Sequence, residues 1–175
     1  MKKITALLLC ALMVCSVLFL ASCGGNNNED AKLKLGLGVY TTAEATDADS
    51  DKDGSGNVAI TVAVVLVDKD GKIVKCVLDV ADYTVAYTAD GKTVANDSFK
   101  TKHELGDDYG MKNGQTWGST KEWYEHANAF CALVVGKTVN EVKAFIAEDG
   151  ENKDAVVSAG CTISASDFVK AVENR

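Results

Sequence analysis

The sequence predicts an α+β domain: an antiparallel sheet followed by helices packed on one of its faces. Three observations predict it. Apolar residues alternate through the first half of the chain, Asp-Gly pairs separate the alternating runs, and after Lys102 the apolar spacing changes to that of helices. Strands first and helices later leave the helices one sheet face to cover.

The elements follow in order. Leu33, Leu35, Leu37 and Val39 fall on one side of a first strand, and Gly36 and Gly38 on the other leave room for a close neighbour. A second strand runs from Val58 to Val67. Both of its faces are apolar, which predicts cover on both sides. Ile73 to Val80 makes a third strand, entered through the tight-turn pair Asp70-Gly71. The run Asp70-Gly71-Lys72-Ile73-Val74 is echoed by Asp90-Gly91-Lys92-Thr93-Val94, which predicts a second hairpin turn between strands at 83–88 and 93–99. Trp123, Ala127, Phe130, Cys131 and Val134 then follow helical spacing, with Ser119 or Thr120 as cap and Gly136 as stop. Thr138 and Glu141 form a capping box for a second helix that buries Val142, Phe145 and Ile146. A short third helix begins near Ser164 and carries Phe168, Val169 and Val172.

The first 22 residues are set apart from this domain. Met1-Lys2-Lys3 is basic, residues 4–20 are apolar, and Leu20-Ala21-Ser22-Cys23 matches a bacterial lipobox, in which the cysteine is diacylated and becomes the new N-terminus. Residues 1–22 therefore read as a lipoprotein signal peptide, 23–31 as a lipidated flexible tether, and 32–175 as the folded domain. The expectation is a protein held by lipid on Cys23 at the extracytoplasmic face of a cell membrane.

Charge and cysteine usage narrow the chemistry. The chain carries 18 basic and 25 acidic residues, and loss of Lys2 and Lys3 makes the mature part more acidic still. Such a surface repels phosphate backbones, which argues against nucleic-acid binding. Of six cysteines, Cys10 and Cys15 leave with the signal and Cys23 takes lipid. Cys76, Cys131 and Cys161 remain, enough for one bridge at most, and no Cys-x-x-Cys spacing supports a zinc or iron–sulfur site.

Four stretches invite a chemical reading. Asp49, Asp51, Asp53 and Gly54 fit the first half of a calcium loop, but the closing position holds Ile60 and strands flank it. The segment reads as a solvated acidic hairpin, with weak calcium binding as the alternative. Glu122 and His126, one helical turn apart, read as a surface pair, and His103 as a loop histidine. No Gly-x-Ser-x-Gly or His-Glu-x-x-His signature occurs, so no catalytic set is assigned. Tyr109, Met111 and Trp117 lie in or beside one polar loop, where they would either stack against a planar ligand or close the core as a lid. Finally, an apolar run stops at Gly160-Cys161-Thr162, where the glycine permits a tight turn and the next helix offers free N–H groups.

The lipobox, the strand around Asp-Gly-Lys-Ile-Val and a late Gly-x-Thr-x-Ser before a final helix resemble the FMN-binding domain family, in its surface-lipoprotein branch. The resemblance covers most of residues 33–175. In that family the motif reads Asp-x-x-Ser/Thr-Gly-Ala-Thr/Ser, and FMN phosphate is esterified to the last hydroxyl. Aligned on the glycine, Gly160 and Thr162 match, Cys161 replaces the alanine, and Ala159 and Val156 stand where a hydroxyl and an aspartate are usual. The resemblance implies FMN as cofactor, held by Thr162 with Gly160, Cys161 and Ser164 around the phosphate and Tyr109, Met111 or Trp117 against the ring. It also implies electron relay without catalysis of its own, a flavin transferase and redox partners. The missing aspartate and hydroxyl leave a second reading, a flavin-free binding or structural lipoprotein that retains the fold.

Overall fold

A computed structural model describes residues 32–94, 99–112 and 118–175. Residues Leu33–Arg175 make one compact unit. Its sheet is four-stranded and antiparallel, in the order β1-β2-β3-β4. The strands are β1 (Lys34–Thr46), β2 (Gly54–Val67), β3 (Ile73–Tyr87) and the short β4 (Thr93–Val94). The helices are α1 (Lys102–Leu105), with a single 3-10 turn at Gly106–Tyr109, then α2 (Trp123–Val134), α3 (Val139–Lys143), α4 (Asp154–Ser158) and α5 (Ser166–Glu173). The α+β reading and the meander hold.

The two Asp-Gly turns are one device used twice. Asp68 N–H bonds Lys72 O at 2.9 Å and Thr88 N–H bonds Lys92 O at 2.8 Å. Gly71 and Gly91 take φ 75° and 81°, a left-handed conformation that glycine adopts without steric penalty. The residue opening each turn accepts the closing N–H with its side chain: Asp68 Oδ1 from Lys72 at 2.8 Å, Thr88 Oγ1 from Lys92 at 3.1 Å.

The helices pack on the face of the sheet that carries Thr61, Ala63, Val65, Cys76, Leu78 and Val80, all buried. On α2, Trp123, His126, Ala127, Phe130 and Val134 are buried, the i, i+3, i+4, i+7 stripe expected of a core-facing helix. Phe168 of α5 packs edge-on against Trp123 and Phe130, with centroids 5.8 and 5.5 Å away. Burying Phe130 completely contributes about 1.5–3 kcal/mol. The connection after α2 is hydrogen-bonded to the start of β3, Gly136 N–H to Ile73 O at 2.7 Å and Ile73 N–H to Lys137 O at 2.8 Å. The glycine pair of β1 does leave room for a neighbour: α5 lies against it, with Ala171 and Arg175 over Gly38 and Gly36.

Several expectations are corrected. β3 runs unbroken through 80–83, because Val80 to Tyr83 stay in register with Thr61 to Val58, so the two strands expected there are one. β4 spans only Thr93–Val94, and 95–98 lie outside the described residues. α2 is capped by Glu122 rather than Ser119 or Thr120, with Glu125 Oε2 accepting the Glu122 N–H at 2.8 Å. α5 begins at Ser166, two residues after the expected start, and neither α4 nor α1, which contains the expected loop histidine His103, is foreseen. The second face of β2 is not covered among the described residues: Val58 is exposed, and Leu35, Leu37 and Val77 beside it are at least half exposed.

Candidate functional site

Two features meet at the C-terminal end of the chain: the corner 160–165 and a cleft beside it. The corner is held from two directions. From the chain before α4, Asn152 donates through Nδ2 to Ile163 O at 2.7 Å and accepts Ala165 N–H on Oδ1 at 2.9 Å. From α2 and its approach come Lys121 and His126. Lys121 Nζ donates to Gly160 O at 3.0 Å, and Gly160 has φ 101°, which a residue with a Cβ adopts only under strain.

His126 is not on the polar face. It is 1 % exposed, and its ring joins three backbone or side-chain partners. Ser119 Oγ gives its own proton to Lys121 O at 2.7 Å, so towards His126 Nε2, 3.1 Å away, it accepts. In the neutral ring this puts the proton on Nε2 and leaves the Nδ1 lone pair to accept the Thr162 N–H at 3.2 Å; Gly160 O, also 3.2 Å from Nδ1, accepts from it only when the ring is protonated. The expected surface pairing with Glu122 is therefore corrected. Glu122 is itself 4 % exposed, and its carboxylate accepts Met111 N–H and Lys112 N–H, both at 2.9 Å. The sequence spacing was right for a helix turn, but both side chains are turned inward by the loops they bond.

Burial lowers the His126 pKa, helped by the Lys121 charge, while Gly160 O and Glu125 oppose the shift. The folded chain thus binds this proton less readily than the unfolded one. Stability from His126 is complete above the unfolded value near pH 6.5 and is lost as pH falls through it. Urea unfolding at pH 7.5 and pH 5 is expected to show a loss for the natural chain and a smaller loss for His126→Asn. An equal loss in both would show that His126 does not carry the pH dependence.

The cleft has a volume of about 540 Å³, within the range that encloses small-molecule ligands. Ala59, Thr61, Val80 and Asp82 of the sheet form its floor, and Lys102, Tyr109, Met111 and Trp123 one wall. Ile163, Ser164, Asp167 and Phe168 close the other side. Lys102 Nζ lies 2.8 Å from Asp82 Oδ2 and 5.2 Å from the Tyr109 ring centroid. Burial works against the ammonium, but Asp82 and Tyr109 outweigh it and raise its pKa. Burial likewise works against the Asp82 carboxylate, and bonds from Lys102 and Asn57 Nδ2 hold its pKa below the ordinary value.

The structure thus brings together three of the residues singled out by sequence, Tyr109, Met111 and Ser164, in one lining. Thr162 is exposed at the corner next to that lining without being part of it. Gly160 shapes the turn. Cys161 is fully buried, its thiol donating to Ile163 O at 3.7 Å, and burial pushes its pKa up to about 11. Trp117 and Cys23 lie outside the described residues. The indole in the cleft is Trp123, whose helical spacing marked it only as core. Asn152, Lys121 and Lys102 carried no sequence signal, because their partners are distant backbone and carboxylate groups.

The other two thiols are neighbours. Cys76 donates to the Cys131 sulfur, raising its own pKa and lowering that of Cys131. All three thiols are free. Iodoacetamide at pH 8 is expected to mark Cys131 first, because it is only partly buried and its thiolate is favoured. Peptide mass mapping that finds Cys161 marked first would contradict this order.

In the acidic hairpin, Asp49 Oδ1 accepts the Asp51 N–H at 2.8 Å and the Asp49–Lys52 backbone pair closes the turn. Among the described residues, no three His, Cys, Asp or Glu side chains are grouped to hold a metal ion, and no helix is long and apolar enough to cross a membrane. Asp49, Asp51 and Asp53 are thus not gathered into a cage. In comparisons with protein-family models, curated proteins and solved structures, nothing matches the chain.

Proposed function

We propose that this protein, anchored by lipid on Cys23 at the extracytoplasmic face of a membrane, holds FMN at the cleft and relays electrons. The observation that carries the reading is the convergence of Tyr109, Met111 and Ser164 on one cleft beside the Thr162 corner. The residues present fit such a group. Tyr109, Met111 and Trp123 offer an aromatic and thioether wall to a flat ring. Thr162 offers an exposed hydroxyl, and Lys121 brings positive charge to Gly160 next to it.

When bound, the isoalloxazine supplies the redox chemistry, and the protein supplies position and electrostatics. Lys102 neutralises Asp82, and the Asp167 carboxylate disfavours a phosphate on the Ser164 side of the cleft, which directs it to the corner, where Thr162 would carry it by ester or by hydrogen bond. Lys102, held by Asp82, sets a fixed positive charge beside the aromatic wall. Ile163 and Phe168 exclude water from the opposite side.

Titrating the chain 24–175 with FMN is expected to quench tryptophan fluorescence and raise the melting temperature, with both effects weakened in Tyr109→Ala. No quenching and no shift at millimolar FMN would oppose the reading. With Asp82 neutralised by Lys102, Asp167 favours a second reading, a flavin-free lipoprotein whose cleft takes an uncharged or cationic ligand.

A further inference from the structure

From the uncovered face of the sheet we infer that the protein pairs with a second copy of itself, face to face, through the outer residues of β1, β2 and β3. The strand register sorts this face into rows. Leu37, Val64 and Val77 form a central row. Leu35, Leu66 and Lys75 form the row on one side of it, and Val39, Val62 and Asp79 the row on the other. Leu35 is 71 % exposed, Leu37 61 % and Val77 50 %, and no described residue packs over them.

Two further rows, Thr41–Ile60–Ala81 and Ala43–Val58–Tyr83, extend the patch to about 27 Å by 10 Å at ordinary strand spacing. A mostly apolar patch of a few hundred Å², met at its Tyr83 end by the Phe99 ring, is of the size that is often functional on a monomer. The tether has no large apolar group to lay over it. Residues 24–31, Gly-Gly-Asn-Asn-Asn-Glu-Asp-Ala, contain no large apolar side chain.

Charge placement selects a second copy as the occupant. Among these three rows the charged residues are Lys75 and Asp79, and they stand in the rows immediately on either side of the central one. A two-fold axis along the central row lays each flanking row over the other row of the partner copy. Leu35 then faces Val39, Leu66 faces Val62, and Lys75 faces Asp79, twice over. Sheets pack face to face about 10 Å apart, a gap that a lysine and an aspartate span together. The face is therefore self-complementary in charge as well as apolar, the requirement of a two-fold interface. A lipid surface would leave both charges facing hydrocarbon.

The test uses the chain 24–175, which contains the compact unit and every described core residue and carries no lipid. Sedimentation velocity from micromolar to several hundred micromolar is expected to show dimers. Val64→Lys, on the axis and away from the core, is expected to give monomers with unchanged circular dichroism and melting temperature. Lys75→Asp and Asp79→Lys are each expected to weaken dimerisation about tenfold, and the double exchange to restore it. Asp79 also accepts His103 N–H at 3.2 Å, so circular dichroism is recorded for each variant. Monomers at every concentration, a folded double exchange that fails to restore pairing, or binding of monomers to neutral phosphatidylcholine vesicles that Val64→Lys abolishes would each overturn the inference.

Discussion

Glu122→Ala is expected to destabilise the domain by about 3–5 kcal/mol, from the loss of two charge-assisted hydrogen bonds to backbone donors. The carboxylate is 4 % exposed and accepts two backbone N–H groups, those of Met111 and Lys112, each at 2.9 Å. Hydrogen bonds to charged groups contribute about 1.5–3 kcal/mol each, and truncation leaves both donors unmatched. Glu122→Gln distinguishes the acceptor role from packing. An amide of the same shape has one oxygen, so one of the two N–H groups meets an NH₂ instead. Glutamine is therefore expected to recover less than half of the loss. Because Met111 lines the cleft, both variants are also expected to weaken whatever the cleft binds. Urea unfolding checks the first part, and a glutamine variant as stable as the natural chain would contradict it.

Gly38→Ala is expected to be nearly as damaging, about 3 kcal/mol or more, at the upper end of overpacking effects. A Cβ at Gly38 would lie 1.9 Å from Ala171 O and 2.8 Å from Arg175 N, both backbone atoms of the α5 end. The helix must move, and it is tied in place by Asn174 Nδ2 to Val39 O at 3.0 Å and by Lys170 over the Tyr40 ring at 4.5 Å. α5 also supplies Phe168 to the core and Asp167 to the cleft, so the displacement reaches the site. Gly36→Ala is the matched control. There the nearest atoms are all in side chains, Arg175 at 3.0 and 3.1 Å and the buried Val65 Cγ2 at 3.2 Å, so shifts of a few tenths of an ångström suffice and no backbone stands in the way. At a few degrees per kcal/mol for a domain of this size, Gly38→Ala should lower the melting temperature by about 10 °C and Gly36→Ala by much less. Equal effects would show that α5 does not rest on Gly38 as described.

What the sequence makes legible is whatever its local periodicity and turn chemistry encode. Alternation located β1 to β3, the repeated Asp-Gly pair located two matching turns, and the Gly36/Gly38 gap foretold a close neighbour before α5 could be named as that neighbour. The Thr138–Glu141 box was readable because both partners lie within one turn, and Glu141 Oε2 does accept Thr138 N–H at 2.8 Å. The misreadings at the site come from groups whose partners are far along the chain. Glu122 and His126 look like an exposed pair by spacing, and only the returning loops at 111–112 and 160–162 draw them inside. Asn152 clamps a corner 11 to 13 residues downstream with no marker in its own neighbourhood. β2 looked buried on both faces because both are apolar, but the helices cover one face, and an apolar pattern does not say what will cover the other. Part of the candidate site was readable: Tyr109, Met111 and Ser164 line the cleft, while Trp123 was hidden by its second role in the core.

Whether this cleft and corner serve flavin is decided by the mass and colour of the exported protein. The full chain, coexpressed with a bacterial flavin transferase and exported, is purified under denaturing and native conditions, with Thr162→Val alongside. A yellow native protein is expected, its flavin absorbance dependent on Thr162, with FMN present as a covalent mass increment or released on denaturation. A colourless protein with no FMN increment, which also fails to bind added FMN, would contradict a flavin role.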